Sequence, residues 1–217
     1  MTDDDPTPRK RGRPRLFERE EVLDTAMVHY WREGVHALSL NEVCRRVEVS
    51  KPSIYREFGG EDGLVEAVLG HYRDAVVVPV MAFVSGARPL AETLEGLVIG
   101  MTATGEHPPG CLFTEMRLLR SGLGPKTTAR LDAIEAERNA ALEALYARAL
   151  ERGEANTAIS PEAAAQFMDA QFSMVLLHMG MGQAPERVRA QARLAFEVFS
   201  PTRRAPPDAR RTGPPGP

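Results

Sequence analysis

Three short segments within the first sixty residues carry apolar side chains at the 3.6-residue period of a helix, and no stretch of the chain alternates convincingly over a strand's length. In residues 19–33, Val22, Leu23, Ala26 and Tyr30 make one stripe, and Gly34 follows as a stop signal. Ser39 is placed to cap a second short helix carrying Leu40, Val43 and Val47, with Glu42 at the capping-box position. A third begins near Ser50 and tolerates Pro52 in its first turn, where no intrahelical N–H is needed. Its apolar residues Ile54 and Phe58 are too few to build a core of their own. Together the three segments predict a tri-helical helix-turn-helix unit, whose third helix enters the major groove of DNA. Ile54 and Phe58 would hold that helix down, leaving Lys51, Ser53, Tyr55 and Arg56 for the nucleic acid. Taken alone, the same spacing also fits an ordinary surface helix.

The rest of the pattern is helical too. "AVVVPVMAFV", from Ala75, is rich in β-branched residues, yet it follows Leu64, Val68, His71 and Tyr72 in register and is expected to continue a fourth helix kinked at Pro79. A fifth helix is expected in "AETLEGLVIGMTATGE", a sixth in "GCLFTEMRLLRSGLG", and a long seventh over residues 126–152 with Leu131, Ile134, Ala141 and Leu145 inward. A Ser-Pro-Glu start opens an eighth, ending near Gly182. In the last, residues 184–199, Val188, Ala192, Ala195 and Phe199 share one face while Leu194 and Val198 lie on another, so that helix needs two partners. The expected fold is all-α, with about nine helices.

At 217 residues, 43% of them hydrophobic and 26% charged, the chain is long enough for one domain of ordinary size plus a smaller one. No apolar run approaches the roughly 20 residues that span a bilayer. The N-terminus also lacks the apolar segment of a secretory signal, so a cytoplasmic protein with no membrane partner is expected. Cys44 and Cys111 stand in different segments, which argues against a disulfide framework. A net charge of −3 would discourage nucleic-acid binding if it were evenly spread, but five of the seven residues 9–15 are basic and none is acidic. Residues 201–217 hold four arginines and six prolines without apolar periodicity and read as a disordered tail. No nucleophile–base pair, phosphate loop or carboxylate constellation suggests an enzyme or a cofactor. Pro108, Pro109 and Gly110 separate His107 from Cys111, so the two do not share a helical face and no metal site is expected.

The segment of residues 17–72, with its signature "VSKPSIYREFGGEDGL", closely resembles the N-terminal DNA-binding domain of the TetR/AcrR family of bacterial transcriptional regulators. The resemblance implies an all-helical homodimer with a helix-turn-helix domain and a larger ligand-binding and dimerisation domain. On that basis the chain divides into a basic arm (1–16), the DNA-binding domain (17–62), the helical regulatory domain (63–199) and the tail (200–217). The family's base-reading positions fall on Lys51, Pro52, Ser53 and Tyr55, with Arg56 at a place often held by an aromatic residue. Ser39 and Arg45 join the DNA-facing set. For Arg45 and Arg46, late in the second helix, a reach to the DNA backbone and a solvated helix face remain equal alternatives.

Two departures stand out. Glu48 replaces a glycine common in the turn, which predicts a slightly different turn or some strain there, and Glu61 replaces a lysine that commonly meets a phosphate. Cys44 stands where alanine is usual and is expected to be a small core residue. The arm's Arg-Gly-Arg-Pro resembles an AT-hook, in which Arg11, Arg13 and Arg15 would lie along an A·T-rich minor groove; the alternative is a basic tail giving counterion release alone.

The resemblance further implies a dimer interface made by the last two helices, drawing on Phe172, Val175, His178, Met179, Val188, Ala192, Ala195 and Phe199. It also implies a pocket for a small-molecule effector. Met101, Cys111, Phe113 and Met116 are candidates to line it, with plain core packing as the alternative. A redox or electrophile sensor at Cys111 is a further alternative. The implied function is a ligand-responsive repressor that binds a palindromic operator in double-stranded DNA as a dimer. The alternative is an architectural or global DNA-binding protein, or an activator, acting without a small-molecule ligand.

Overall fold

The computed structural model describes residues 18–105 and 107–201, and no strand occurs among them. The basic arm with Arg11, Arg13 and Arg15, and the tail beyond residue 201, lie outside the described residues. The first unit consists of α1 (Arg19–Glu33), α2 (Leu40–Arg46) and α3 (Lys51–Phe58). The stripe expected in α1 is buried, with Met27 and Trp31 beside it. The helix stops at Gly34, whose φ of 86° suits a residue without Cβ and whose N–H donates to the Tyr30 carbonyl. Ser39 caps α2 by accepting from the Glu42 N–H at 3.3 Å. The Glu42 carboxylate turns to Arg45 and Arg46 instead of closing the capping box.

α4 (Glu61–Tyr72) and α5 (Val78–Val84) form one continuous rod through a widened turn at Arg73–Val77. In place of the kink expected at Pro79, the helix widens over one turn upstream of the proline. Pro79 has no N–H for the Ala75 carbonyl and its ring crowds that oxygen, and the chain absorbs the misfit where the Val78 N–H reaches back five residues to the Arg73 carbonyl. α6 (Leu90–Met101), α7 (Leu112–Leu118), α8 (Pro125–Glu151), α9 (Pro161–Gly180) and α10 (Pro185–Phe196) complete nine rods among the described residues. Ser160 caps α9 through the Ala163 N–H at 3.2 Å, as its Ser-Pro-Glu start predicts.

Contrary to the sequence expectation, the α4–α5 rod, Glu61–Val84, is long and apolar enough by length and composition to cross a membrane. Its charged residues break the apolar run in sequence without lowering the average enough. The fold uses this apolarity internally: Leu64, Val65, Val68 and Leu69 are core, while Val76, Val80 and Met81 face a cavity.

Two hydrophobic cores form, and packing does not divide at residues 62/63. The first joins α1–α4 to Cys111, Leu112, Phe113 and Met116 and to Leu131 and Ile134 of α8. The second gathers Val84, α6, the later turns of α8, α9 and α10. α8 lies along both α4 and α9 and ties the halves together, with ion pairs from Arg73 to Glu137 at 2.8 Å and from Arg130 to Glu66 at 2.6 Å on its outer side.

Candidate functional site

On α3, burial of Ile54 and Phe58 fixes which side chains face outward. Lys51, Pro52, Tyr55 and Arg56 are exposed, Tyr55 by 53% despite its ring, and Ser53 is half-buried with its Oγ 2.9 Å from Ser50 Oγ. Ser39 spends a lone pair on its cap, leaving its hydroxyl proton to donate.

The two arginines of α2 are both paired with Glu42. Arg45 is bidentate to Glu42, at 2.6 and 3.0 Å, and must leave that carboxylate to reach DNA. Arg46 holds Glu42 at 2.6 Å and also engages Glu33 and His29 of α1, so it fastens α2 to α1. Hydrogen bonds from Arg45 and then Arg46 hold the Glu42 carboxyl down at about 2. Cys44 is buried in the first core, and burial pushes its thiol up, as befits a small packing residue.

At the start of α4, Glu61 is exposed while Asp62 points to α8. The Asp62 carboxylate accepts from the backbone N–H groups of Lys126 and Thr127, at 2.9 and 3.1 Å, and from the Thr127 hydroxyl at 2.8 Å. Burial would raise this carboxyl, but those donors outweigh it and hold it below its ordinary range. Gly124, the N-cap residue of α8, offers no side chain of its own, so Asp62 caps α8 from another helix. Nothing local in the sequence announces this contact.

A cavity of about 790 Å³ lies where the two cores meet. Trp31, Tyr72, Cys111 and Phe113 reach its wall from the first core, and Leu97 and Met179 from the second. Of the four sequence candidates, Met101, Cys111 and Phe113 lie on this wall. Met116 does not: it is 1% exposed and spent in the first core, because it sits on the inward side of α7. Cys111 Sγ lies 3.1 Å from the Tyr72 hydroxyl, and His107 stacks on Trp31 with ring centres 5.8 Å apart. The sequence reading missed Arg138, also on this wall. The available signal was its register, in line with Leu131, Ile134, Leu142 and Leu145 along the buried side of α8.

The expected interface residues also need correction. Phe172, Val175, Val188, Ala192 and Phe199 are buried in the subunit's own second core, and Met179 is both part of that core and on the cavity wall. The inward faces of α9 and α10 pack on each other and on α8 or α6, which consumes these side chains. His178 and Ala195 are only half-buried. The apolar residues left outside are Phe167, Met174 and Met181 of α9 and its end, with Leu194 and Val198 from the second face of the last helix.

The family model described as "Bacterial regulatory proteins, tetR family" matches residues 22–68, which are α1 to α4 with their exposed α3. The match places a TetR-family domain in this segment and supports a TetR family transcriptional regulator. Two Escherichia coli (strain K12) relatives are similar to part of this chain. The HTH-type transcriptional repressor ComR is 39% identical over 66 residues, 30% of this chain and 31% of ComR. The HTH-type transcriptional repressor BdcR is 34% identical over 83 residues, 38% of this chain and 42% of BdcR. The matches thus span less than half of these relatives' lengths. Over the larger part of the fold, the chain is similar to the TetR family transcriptional regulator CifR complexed with 26-base-pair operator DNA. That likeness has a TM-score of 0.70 and 27% identity, covering 86% of this chain and 99% of CifR.

Proposed function

We propose that this TetR-family regulator is a cytoplasmic, dimeric repressor that binds a palindromic operator through α3 and is released when a small molecule fills the cavity between its cores. The observation that carries the reading is the position of that cavity. Its wall includes Trp31 of α1 and Tyr72 of α4, the helices that carry and brace α3, so a ligand has direct purchase on the reading head. The likeness to an operator-bound regulator supports DNA as the partner. Lys51, Pro52, Ser53, Tyr55 and Arg56 would face the major groove, with Ser39 and, once freed from Glu42, Arg45 toward the backbone. Two copies related by a twofold axis would present two such helices to a palindrome.

The test is footprinting of the full chain on DNA selected for binding, with Tyr55→Ala alongside. The expected result is a short protected palindrome whose affinity Tyr55→Ala lowers by about 1–3 kcal/mol, roughly five- to 150-fold, with helical content unchanged. Salt-sensitive coating of A·T-rich DNA, insensitive to Tyr55→Ala, would instead support the architectural role and sink this one.

A further inference from the structure

Arg138 is only 7% exposed, and a guanidinium withdrawn from water needs both a counter-charge and partners for its N–H groups. Asp169 of α9 meets part of this need. Arg138 Nη2 stands 3.1 Å from Asp169 Oδ1, but that oxygen accepts no hydrogen bond from the described residues. Asp169 Oδ2 is already taken by Arg117 Nη1 at 2.8 Å, so one carboxylate serves two guanidiniums. Glu135 takes the other arm of Arg117, at 2.7 Å. Arg138 also lies over the Phe113 ring, its Cζ 4.8 Å from the ring centre, which stabilises the cation without engaging its donors along their axes.

Arg138 Nη1 has no hydrogen-bond partner among the described residues, and the side chain forms part of the cavity wall. The other buried polar side-chain atom of a wall residue without such a partner is Trp31 Nε1, which is also a donor. Both atoms are donors, so the unpartnered buried side-chain atoms of the wall residues ask for acceptors. Among the described residues Arg138 is the one lysine, arginine or carboxylate side chain on the wall, where Val76, Val80, Met81, Phe83 and Leu97 are apolar.

We propose that the cavity binds an amphipathic monocarboxylic acid, with the carboxylate received by Arg138 and the hydrocarbon body by the apolar wall. This rests on the cavity being the effector site of the preceding proposal. The charge balance selects a monoanion, because Asp169 already offsets part of the Arg138 charge and would repel a second negative charge on the ligand. The apolar wall argues against a ligand whose body is itself polar. A cavity of this volume lies in the range that encloses small organic ligands.

Calorimetry of the full chain with decanoate, and with decanol as its neutral counterpart, tests the assignment. Decanoate should bind at least about tenfold more tightly than decanol, the worth of a hydrogen bond to a charged group. Arg138→Met should reduce that preference to within about twofold, and Arg138→Lys should keep part of it. If Arg138→Met fails to fold because Asp169 is left short of a partner, the double variant Arg138→Met with Asp169→Asn removes both charges and serves in its place. Gly100→Phe controls for location, since a Cβ on this wall residue meets nothing within 4 Å and an added ring there takes up part of the cavity. It should weaken binding of both probes. Equal affinity of the two probes for the native chain, both weakened in Gly100→Phe, overturns the acid and keeps the cavity. A decanoate preference that survives Arg138→Met places the carboxylate elsewhere and overturns the assignment. Failure of both probes to bind, or binding untouched by Gly100→Phe, overturns the effector cavity and this inference with it.

Discussion

Glu48 has the one positive φ, 55°, among the described residues other than glycine, and it stands exposed in the turn between α2 and α3. The strain expected from an acid in a glycine's place is therefore present in the backbone. An L-residue in the left-handed region is disfavoured by roughly 1–2 kcal/mol, part of which glycine gives back through its freer unfolded chain. Glu48→Gly is expected to raise stability by about 0.5–1 kcal/mol, read as a higher urea midpoint at unchanged slope. A lower midpoint would mean that the Glu48 side chain holds the turn by a contact worth more than the strain.

At the scale of elements, the joint between α4 and α8 decides how the DNA-binding helices sit on the rest. Asp62 caps α8 across that joint, and there is room for it only because residue 124 is glycine: a Cβ at Gly124 would overlap the Asp62 carboxyl. The backbone at Gly124, with φ −73°, suits any residue, so space alone demands the glycine. Asp62→Ala is expected to lower stability by about 1 kcal/mol, the usual worth of an N-cap. Gly124→Ala should lower it similarly by expelling the carboxylate. The double variant should then be little worse than either single one, because both remove the same contact. Urea unfolding of the three variants measures this cycle, and additive losses would show that Gly124 matters for some other reason.

For the whole molecule, the outward faces of α9 and α10 carry the prediction. Phe167, Met174 and Met181 recur at seven-residue intervals, and Leu194, exposed by 69%, stands one turn before Val198. If these residues form the dimer contact, Leu194→Glu would bury an unpaired charge at the interface while leaving the subunit's own core intact. The expected outcome is a shift from dimer to monomer in sedimentation with unchanged helical content, together with weaker operator binding. A variant that stays dimeric would move the interface to another surface.

Helices, caps and the exposed face of α3 follow from short-range patterns, and the sequence alone determined them. Ser39, Gly34 and Ser160 act within one turn of their own helices, and the apolar period that buries Ile54 and Phe58 leaves Tyr55 outside by geometry alone. Motif spacing likewise sufficed to point to the family. Only the tertiary structure decided which apolar faces are consumed within the subunit. Phe172 and Val188 could have met a second copy or their own chain, and periodicity is the same in both cases. The cavity, the paired state of Arg45 and Arg46, the Asp62 cap and the part-satisfied Arg138 depend on side chains from separate elements. A helical pattern tells which face is buried; packing alone tells what it is buried against.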